Sequence, residues 1–556
     1  MNTALQDQDL VSALEPSKKG MKIKLVGFYD SLFSSGLRKM SSIVKQHYDE
    51  VELYLYSPEG YGNFFKAHFA NTDDEIDSLN PSLIEEMLDA DLIGVSTMSN
   101  YSVLTKEFIR AVKKINPSCY VVWGGPHAIM NPAECFPEAD AACIGEGEES
   151  FIELLSKIDS PDKEKLDGFW FKCKDGLIKN PSRPLLMGDE LTDHPYPDIS
   201  ESIYYVDRHT LCKLDKEVYL AKQGNNYMCV WSQGCPFRCS YCGNETFLDL
   251  TKNKYARLRY PTPEYFVGEL KHILSQYGCI GFIEMIDDNF FLIKDADILS
   301  FAELYKKEIG LPFHISGIFP GMIRDEKILD ALIDAGLRRC RMGIQSGSKK
   351  TLDFFVRPTS SKAIHDTANL LMSKYPKINP PEFDIIMDIP FEEESDKKET
   401  LDLLASFNGS FIPLIYSLRG TPGTSIRKIA DEHPEMGIPP MEAGFRKTQD
   451  IEYALQLYNF GMGKPSLLRK KIYKILSKFK AIRSIALNFT ILMTLGRRLY
   501  YDIKINNFAT LASVFPNIVR LLYKLKVLSF FQNRINHSVV SKSVRLKLVG
   551  NDSISH

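Results

Sequence analysis

The feature that most constrains this 556-residue chain is its alternation of short apolar runs with amphipathic segments. Between the runs lie stretches such as Val103–Ile115, whose apolar residues recur at helical spacing. Alternation at this period is typical of a parallel, doubly wound sheet, and we predict an α/β domain of the flavodoxin-like order over residues 21–158, with ligands at the carboxyl ends of the strands. The predicted strands are Ile23–Phe28, Val51–Leu55, Leu92–Ser96, Tyr120–Trp123 and Ala141–Ile144.

A second alternating region follows a segment rich in Pro, Gly and Asp. We predict that this segment, residues 159–222, is an irregular linker with a small hairpin around Gly168–Ile178. Six further β/α units favour an open or partial (β/α)6 barrel over residues 223–440, with its active site at the carboxyl ends of the strands. Its predicted strands are Met228–Trp231, Ile280–Ile286, Phe313–Ile318, Arg341–Ile344, Phe383–Ile389 and Phe411–Ser417. Predicted helices between them include Pro263–Gln276, Asp325–Ala335 and Lys397–Phe407.

Composition places the chain among ordinary globular proteins, with 44% hydrophobic and 25% charged residues. The 11 cysteines are scattered and odd in number, which argues against a disulfide framework and favours a reducing cytosol. Residues 1–20 have no apolar core, so we expect a disordered leader and not a signal peptide. No apolar run has the length of a membrane-spanning helix. The sequence therefore predicts a cytoplasmic protein.

The net charge of −3 hides a basic end. Residues 464–556 carry 18 Lys/Arg against 2 Asp/Glu, a surplus of 16 positive charges. We predict a basic helical region over residues 441–556, with amphipathic helices near 468–479 and 511–525. Three interpretations stay open: contact with the inner membrane surface, binding of nucleic acid, or helices that simply cover the barrel. Because no nucleic-acid-binding module is present, we expect no nucleic-acid partner.

Three cysteines, Cys235, Cys239 and Cys242, follow the first predicted barrel strand. Three thiolates at this spacing can wrap one iron–sulfur cluster and leave one iron without a protein ligand. An open coordination position is what a metal needs in order to bind a substrate. The alternatives are a zinc loop or three structural thiols, but structural zinc normally takes four protein ligands and no nearby Cys or His pair supplies the rest.

This Cys-x3-Cys-x2-Cys pattern at the start of a predicted partial barrel resembles the radical S-adenosylmethionine (SAM) superfamily, over about Tyr227–Thr424. The resemblance implies an enzyme whose [4Fe–4S] cluster chelates the amino and carboxylate groups of SAM. One electron, from a donor such as flavodoxin or ferredoxin, then breaks the sulfonium C–S bond and yields a 5′-deoxyadenosyl radical. The cofactors supply this chemistry and the protein orients them.

Two further segments fit the same family. Glu284–Phe290 ends the second barrel strand, where the family places polar contacts to SAM, and Gly343–Ser348 resembles its Gly-Ile-Glu-Ser-Gly segment with Gln for Glu. A neutral Gln can still accept a hydrogen bond from a ribose hydroxyl. For each residue of these two segments, the alternative to a contact with SAM is a structural role in a buried helix cap or a turn. The SAM contacts implied by the resemblance are Asp287, Gln345, Ser346 and Arg357.

In the first domain, small and polar residues follow the strands. The order Gly-Gly-Pro-His and then Gly-Glu-Gly-Glu resembles the cobalamin-binding domain that precedes many radical SAM barrels, over about Met21–Ile158. Such glycines permit close backbone approach to a large ligand, although each could simply make a tight turn. The loop Tyr29–Gly36 lacks the cobalt-ligating His of mutase-type domains, and we expect His127 to be a loop histidine without that role. The implied cobalamin contacts are Ser96, Met98, Gly124, Gly125, His127, Gly145, Glu146 and Gly147.

Together these resemblances predict a cobalamin-dependent radical SAM enzyme that methylates an unactivated carbon of a small-molecule or lipid-like substrate. Relatives that catalyse cyclisation or rearrangement leave the reaction type open. A radical SAM enzyme without bound cobalamin is a further alternative. From a different class, an iron–sulfur binding or assembly protein that never turns over also fits the cysteine motif.

Overall fold

The computed structural model describes residues 20–29, 32, 34–57, 79–252, 254, 257–441, 450–461, 480–514, 518, 519 and 521. The predicted leader lies outside these residues. Within them, no helix combines the length and the apolar character that a membrane span requires.

The first sheet has nine strands in the order β7-β6-β5-β4-β3-β1-β2-β8-β9. Its centre, β2-β1-β3-β4-β5, is parallel and has the predicted flavodoxin-like order. All five predicted strands are confirmed. The strands are β1 Ile23–Phe28, β2 Val51–Tyr56, β3 Leu92–Thr97, β4 Tyr120–Gly124, β5 Ala141–Cys143, β6 Phe169–Cys173, β7 Gly176–Lys179, β8 Ile203–Val206 and β9 Leu211–Lys213.

The segment 159–222 differs from the irregular linker that we predicted. Its hairpin, β6 and β7, is present as expected, but β6 joins β5 in the antiparallel sense and so extends the sheet. At the opposite edge β8 pairs parallel with β2, and β9 pairs with β8. In β6 and β8 alternate side chains are buried, for example Phe169 and Phe171, because these strands cover apolar surface of the sheet, whereas β7 and β9 at the two edges have no buried side chain.

The second sheet has six strands, all parallel, in the order β10-β11-β12-β13-β14-β15. This confirms the predicted six-stranded partial barrel. The first strand begins and ends two residues earlier than predicted. The strands are β10 Asn226–Cys229, β11 Phe282–Met285, β12 Phe313–Ile318, β13 Leu337–Gln345, β14 Glu382–Met387 and β15 Ile412–Ser417.

Helices cover both sheets. Those of the first region are α1 Ser35–Lys45, α2 Pro81–Glu86, α3 Ser102–Ile115, α4 Gly125–Met130, α5 Glu148–Ser156, α6 Gly188–Asp193 and α7 Lys216–Gln223. Those of the barrel are α8 Gly243–Leu250, α9 Pro263–Gln276, α10 Asp295–Glu308, α11 Glu326–Ala335, α12 Lys349–Phe354, α13 Ser361–Ser373, α14 Glu394–Ser406 and α15 Ser425–Glu432. Three more follow: α16 Ile451–Gly461, α17 Lys480–Lys504 and α18 Ala509–Val514.

The strands of the barrel turn apolar side chains outward to the helices and polar side chains inward. Met342 and Ile344 of β13, for example, belong to the apolar core together with Leu332 of α11. The inward residues nearest the amino ends of the strands are buried and charged or polar: Asn226, Glu284, His314, Arg339 and Glu382. We call this layer the barrel floor.

Helix α17 closes the barrel floor from outside. Its Asp502 is fully buried against Arg339, and its Arg498 lies 3.4 Å from Glu382. After the helix, Asn225 donates a hydrogen bond to the carbonyl of Asn506 at 2.7 Å. The inner side of the C-terminal helical region is therefore part of the barrel. The amphipathic helix predicted near 468–479 lies outside the described residues, and most of the one near 511–525 does too.

Candidate cofactor site between the two sheets

The three cysteines lie on the loop that follows β10, at the carboxyl end of the barrel. The carboxylate Oδ1 of Asp287, just beyond β11, accepts hydrogen bonds from the Ser232 amide and hydroxyl at 2.5 and 2.6 Å. Gly234 then adopts a φ of +114°, which favours glycine because other residues would be strained there. These contacts fix the start of the cysteine loop.

The thiols are enclosed by protein. Cys235 and Cys239 are buried and Cys242 is half-buried. Burial raises the pKa of Cys235 and of Cys242 to about 12, so that both thiols would be protonated without a nearby positive charge. A bound metal removes this cost, because it holds a coordinating thiol in its deprotonated form.

A multi-iron cluster suits this donor set. Among the described residues, no three His, Cys, Asp or Glu side chains converge around one metal-ion position. In a [4Fe–4S] cluster each thiolate binds its own iron, so its ligands need not converge on a single point. Two buried thiols and one half-buried thiol on a single loop fit such a cluster.

Arg357 links the cysteine loop to β13. Its Nη1 lies 3.7 Å from the Sγ of Cys239 and donates to the hydroxyl of Tyr241 at 3.0 Å, and its Nη2 donates to the carbonyl of Gly343 at 2.5 Å. Its Nε has no hydrogen-bond partner among the described residues. These contacts hold the loop against β13 and leave one N–H of Arg357 for a ligand, and its contact with SAM stays a prediction.

Two polar side chains at the end of β11 have atoms without partners. Asp287 is buried, and its second oxygen has no hydrogen-bond partner among the described residues. Burial, aided by the charge of Asp288, raises the pKa of Asp287 to about 6. Asn289 is fully buried, and neither its amide oxygen nor its nitrogen is paired within the described part of the chain. Buried polar groups are normally satisfied, so these atoms indicate a polar ligand at this position.

Gln345 and Ser346 lie at the end of β13 as predicted, but they differ in their surroundings. Gln345 is half-buried and has a φ of +68°. The Ser346 hydroxyl lies 3.1 Å from that of Thr400 and accepts a hydrogen bond from the Ser348 amide at 3.1 Å. Ser346 therefore holds the loop against α14, and its contact with SAM stays a prediction.

In the first sheet, the loops after β4 and β5 leave backbone exposed. Gly125 has a φ of +82°, and a Cβ there would lie 2.4 Å from the Ser96 hydroxyl. At Gly145 the result is the opposite: a Cβ would have no neighbour within 4 Å. Gly124 has ordinary contacts only, the nearest being Cys143 at 3.5 Å. Gly145 thus borders open space large enough for a ligand to reach the backbone.

Three of the residues that we predicted to contact cobalamin are in contact with other residues of the protein. The Ser96 hydroxyl lies 2.5 Å from that of Tyr29, and Met98 is partly buried against the apolar core. His127 is fully buried with its Nδ1 3.2 Å from Ser99, and burial lowers its pKa to about 4. His127 lies in α4 and not in a loop, its Nε2 has no hydrogen-bond partner among the described residues, and its contact with cobalamin stays a prediction.

Glu146 joins the two sheets. Its Oε1 accepts a hydrogen bond from Arg259 at 2.7 Å, and its Oε2 accepts one from the Leu186 amide at 2.8 Å. Arg259 in turn forms two backbone hydrogen bonds with Gln233, each of 2.9 Å, two residues before Cys235. Nearby, a Cβ at Gly147 would lie 2.7 Å from the end of the Met40 side chain. The Gly-Glu-Gly-Glu loop thus contacts the base of the cysteine loop.

The carboxyl ends of the two sheets therefore face each other. Helix α4, which follows β4, packs against α8, which follows the last cysteine. On the α4 side Met130 lies 3.0 Å from the position of a Cβ at Gly243. In sheets of this kind ligands bind outside the carboxyl ends of the strands, and the structure brings two such edges together.

Comparison with known families agrees with this arrangement. Residues 229–404 match the family described as the radical SAM superfamily, and residues 66–155 match the B12 binding domain. The barrel is thus a radical SAM domain. A B12-binding domain precedes it in the chain. The two domains imply a [4Fe–4S] cluster with SAM, and cobalamin.

Curated relatives cover part of the chain. An anaerobic magnesium-protoporphyrin IX monomethyl ester cyclase of Rubrivivax gelatinosus is 24% identical over 281 residues, 49% of this chain and 47% of that protein. An uncharacterized methyltransferase of Pyrococcus horikoshii is 30% identical over 49% of this chain and 55% of its own length. A cytidylyl-2-hydroxyethylphosphonate methyltransferase of Streptomyces wedmorensis is 23% identical over 58% and 63%. The match spans about half the length of the first two.

Solved structures share the fold over most of the chain. The cobalamin-dependent SAM radical enzyme OxsB, with aqua-cobalamin bound, has a TM-score of 0.58 at 15% identity and covers 98% of this chain and 84% of its own. The radical SAM methyltransferase TsrM of Kitasatospora setae, with cobalamin and a [4Fe–4S] cluster bound, has a TM-score of 0.56 at 17% identity over 77% and 80%. At these identities the likeness shows the fold.

Sequence reasoning missed two residues of this site. Arg259 lies in no motif, and only the contact between the sheets shows that it joins Glu146 to the cysteine loop. Asn289 stands within a segment that the sequence singles out, but nothing in the sequence distinguishes it from its neighbours. Its complete burial without a partner is visible only in three dimensions.

Proposed function

We propose that this protein is a cobalamin-dependent radical SAM enzyme that transfers a methyl group to an unactivated carbon. The observation that carries the proposal is the three-cysteine loop at the carboxyl end of β10, opposite the open backbone at Gly145 of the B12-binding domain. When bound, the cluster and SAM supply hydrogen-atom abstraction, and cobalamin supplies the methyl group.

The protein's own residues would hold and orient these groups. Cys235, Cys239 and Cys242 would bind three irons, and Arg357 would keep the loop against β13 while its Nε donates to the ligand. Asp287 and Asn289 would contact the polar part of SAM through their unpartnered atoms. Gln345 and Ser346, which lie at the end of β13, would contact SAM at the same end of the barrel.

The side chains of the barrel interior between Gly343 and the barrel floor are polar, and this favours a small polar substrate. Arg341 donates to both oxygens of Asp384 at 2.9 and 3.0 Å and to the Tyr416 hydroxyl at 3.0 Å. These side chains are buried only in part, unlike the barrel floor beneath them. We infer that substrate reaches them from the site between the sheets.

The enzyme requires a one-electron donor, for which flavodoxin or ferredoxin is proposed. Its proposed setting is the cytoplasm, with peripheral contact at the inner membrane surface through the basic C-terminal region.

Anaerobic reconstitution with iron, sulfide, cobalamin and a reductant tests the chemistry. Wild-type protein is expected to convert SAM to 5′-deoxyadenosine, and Cys239→Ala is expected to abolish this because the cluster loses a ligand. Cys173→Ala, a half-buried cysteine of β6, is the matched control and should keep wild-type activity. Protein that carries zinc without sulfide, or Cys239→Ala that still forms 5′-deoxyadenosine, would refute the proposal.

Cobalamin binding has its own test at Gly145. A leucine there meets no protein atom near its Cβ, so Gly145→Leu is expected to fold normally and yet to block cobalamin, as read from its absorption spectrum. Gly278→Leu, also in open space but in the turn before β11, is the control and should bind cobalamin like the wild type. If Gly145→Leu keeps the full cobalamin content, the carboxyl end of β5 is not where the protein binds cobalamin.

Oxidative cyclisation is the second candidate, because magnesium-protoporphyrin ester cyclases are among the relatives. SAM with a deuterated methyl group separates the two. Transfer of the labelled methyl group to the product supports methylation, whereas an unlabelled product that has lost hydrogen supports cyclisation.

A further inference from the structure

The outer side of α17 carries a row of exposed apolar residues, with Gly496 in the gap between Met493 and Tyr500. Their side chains are between 37% and 70% exposed, which is unusual for residues of this size. At 3.6 residues per turn they fall within an arc of about 100° and extend over about 27 Å of helix. We call these residues the α17 stripe: Ile485, Phe489, Leu492, Met493, Tyr500 and Ile503.

The opposite side of the same helix explains why the stripe faces outward. Leu487, Ile491 and Leu495 are buried, and Arg498 and Asp502 pair with the barrel floor. The helix therefore has two apolar sides, and within the described part of the chain only the inner one is covered. An exposed apolar surface of this kind marks a binding surface for a protein or a membrane.

Charge distinguishes between these two partners. Within residues 485–504 nine residues are exposed: the α17 stripe together with Asn488, Gly496 and Lys504, and none of the nine is acidic. The single acidic residue of this stretch, Asp502, is turned inward. The surrounding sequence, residues 464–556, carries 16 surplus positive charges. An apolar strip without exposed acidic residues, in a part of the sequence rich in Lys and Arg and with an amphipathic Tyr near its end, is suited to the headgroup region of an anionic bilayer.

We propose that the α17 stripe is a membrane-docking surface that lies along an anionic bilayer. This inference specifies the surface of the peripheral contact included in the proposed function and does not depend on the reaction. Docked in this way, the barrel would rest with its floor near the membrane and its cofactor site, at the opposite end of the strands, directed away from it.

Vesicle flotation of the full chain tests the proposal, with vesicles of phosphatidylcholine and phosphatidylglycerol in low salt. Wild-type protein is expected to float with them, and at least about tenfold less with phosphatidylcholine alone, because the electrostatic attraction is then lost. The double variant Ile485→Ser/Phe489→Ser is expected to reduce binding at least about tenfold through the lost apolar insertion. The matched control Leu88→Ser/Leu299→Ser removes two apolar residues of comparable exposure elsewhere and should bind like the wild type.

Insertion can be observed directly with a fluorescent residue. Phe489→Trp is expected to be quenched by brominated lipid, whereas Leu299→Trp is not. Three results would overturn the proposal: no flotation of the wild type, equal flotation of the stripe variant, or stripe-dependent self-association in solution without lipid. Formation of 5′-deoxyadenosine by the stripe variant, measured in the same preparations, separates failure of docking from failure of the proposed chemistry.

Discussion

The two ends of the barrel bury charge in different ways. At the floor, the carboxylate of Glu284 is opposed by burial, but hydrogen bonds from His314 and Asn226 hold its pKa far below the usual range. At the carboxyl end, Asp287 has hydrogen bonds only to one oxygen, and burial raises its pKa to about 6. The carboxylates of the floor lie beside cationic side chains of the chain, although Asn226 Oδ1 and His314 Nε2 have no hydrogen-bond partner among the described residues. At the carboxyl end the second oxygen of Asp287 has no hydrogen-bond partner among those residues and is left for a ligand.

This difference separates residues that stabilise the fold from residues that serve the cofactors. A buried charge with its partner in place contributes to a fixed structure, and removing the partner is costly. A buried polar atom without a partner lowers stability until a ligand pairs with it. Substitutions at the two ends should therefore change the free energy of unfolding in opposite directions.

The largest effect is expected at the floor. Asp502→Asn keeps the shape of a fully buried side chain but removes the negative charge that lies beside Arg339 and Arg498. Loss of one member of a buried ion pair costs about 3–5 kcal/mol. Urea denaturation measures this change. Asp295→Asn, in an exposed pair with Arg324, is the control and should cost less than about 1 kcal/mol. Equal small losses in both variants would contradict the comparison.

An effect of opposite sign is expected at Asp287. Because its pKa is raised, the folded protein holds this proton more tightly than the unfolded chain, so stability is greatest at low pH and falls as pH rises from about 4 to 6. Asp287→Asn should remove this loss, and cofactor-free protein at pH 8 should gain about 2–3 kcal/mol.

The measurement is the difference between wild type and Asp287→Asn in urea denaturation across pH 5–8. The difference should grow up to about pH 6 and then stay constant. SAM binding by the reconstituted variant should weaken, since the asparagine carries no charge. A variant that is less stable than the wild type at pH 8 would show that Asp287 stabilises the fold, like the residues of the floor.

Local pattern predicted most of this fold but not the contacts between its parts. Strands β1 and β12 were predicted to the residue, because β1 is a nearly continuous apolar run and β12 places apolar residues at alternate positions at its start. Strands β8 and β9 were missed, since short edge strands in a Pro-rich segment have little pattern of their own. That C-terminal helices cover the barrel was one of the open interpretations, but the pairing of α17 with β13 and β14 was not predicted, because it joins residues more than 100 positions apart.

The same limit applies to the site. The three cysteines were found because their spacing along the chain is itself the signal. Glu146 was assigned to cobalamin from its loop, but its partner Arg259 is distant in sequence and no pattern announces it. Residues whose role depends on a neighbour from another domain are the ones that sequence reasoning assigns least well.

The smallest expected effect tests whether Glu146 contacts cobalamin, as its loop predicts, or joins the two domains. Glu146 is partly exposed and Arg259 is buried, and the pair connects the B12-binding domain to the cysteine loop. Glu146→Gln keeps an oxygen that can accept from Arg259 but loses the charge, so we expect a loss of about 1 kcal/mol in stability. Because the side chain is engaged with protein at both oxygens, cobalamin content should stay at the wild-type level.

The control is Glu149→Gln, an exposed residue three positions further on, which should change neither quantity. Denaturation and the cobalamin absorption spectrum are measured on the same preparations. If Glu146 instead contacts cobalamin, as its loop predicts from sequence alone, the outcome reverses: cobalamin content falls while stability is unchanged. If Glu146→Gln loses stability but retains cobalamin, Glu146 joins the two domains and does not contact the ligand. A charged residue at the carboxyl ends of the strands, where ligands bind, would then have a structural role.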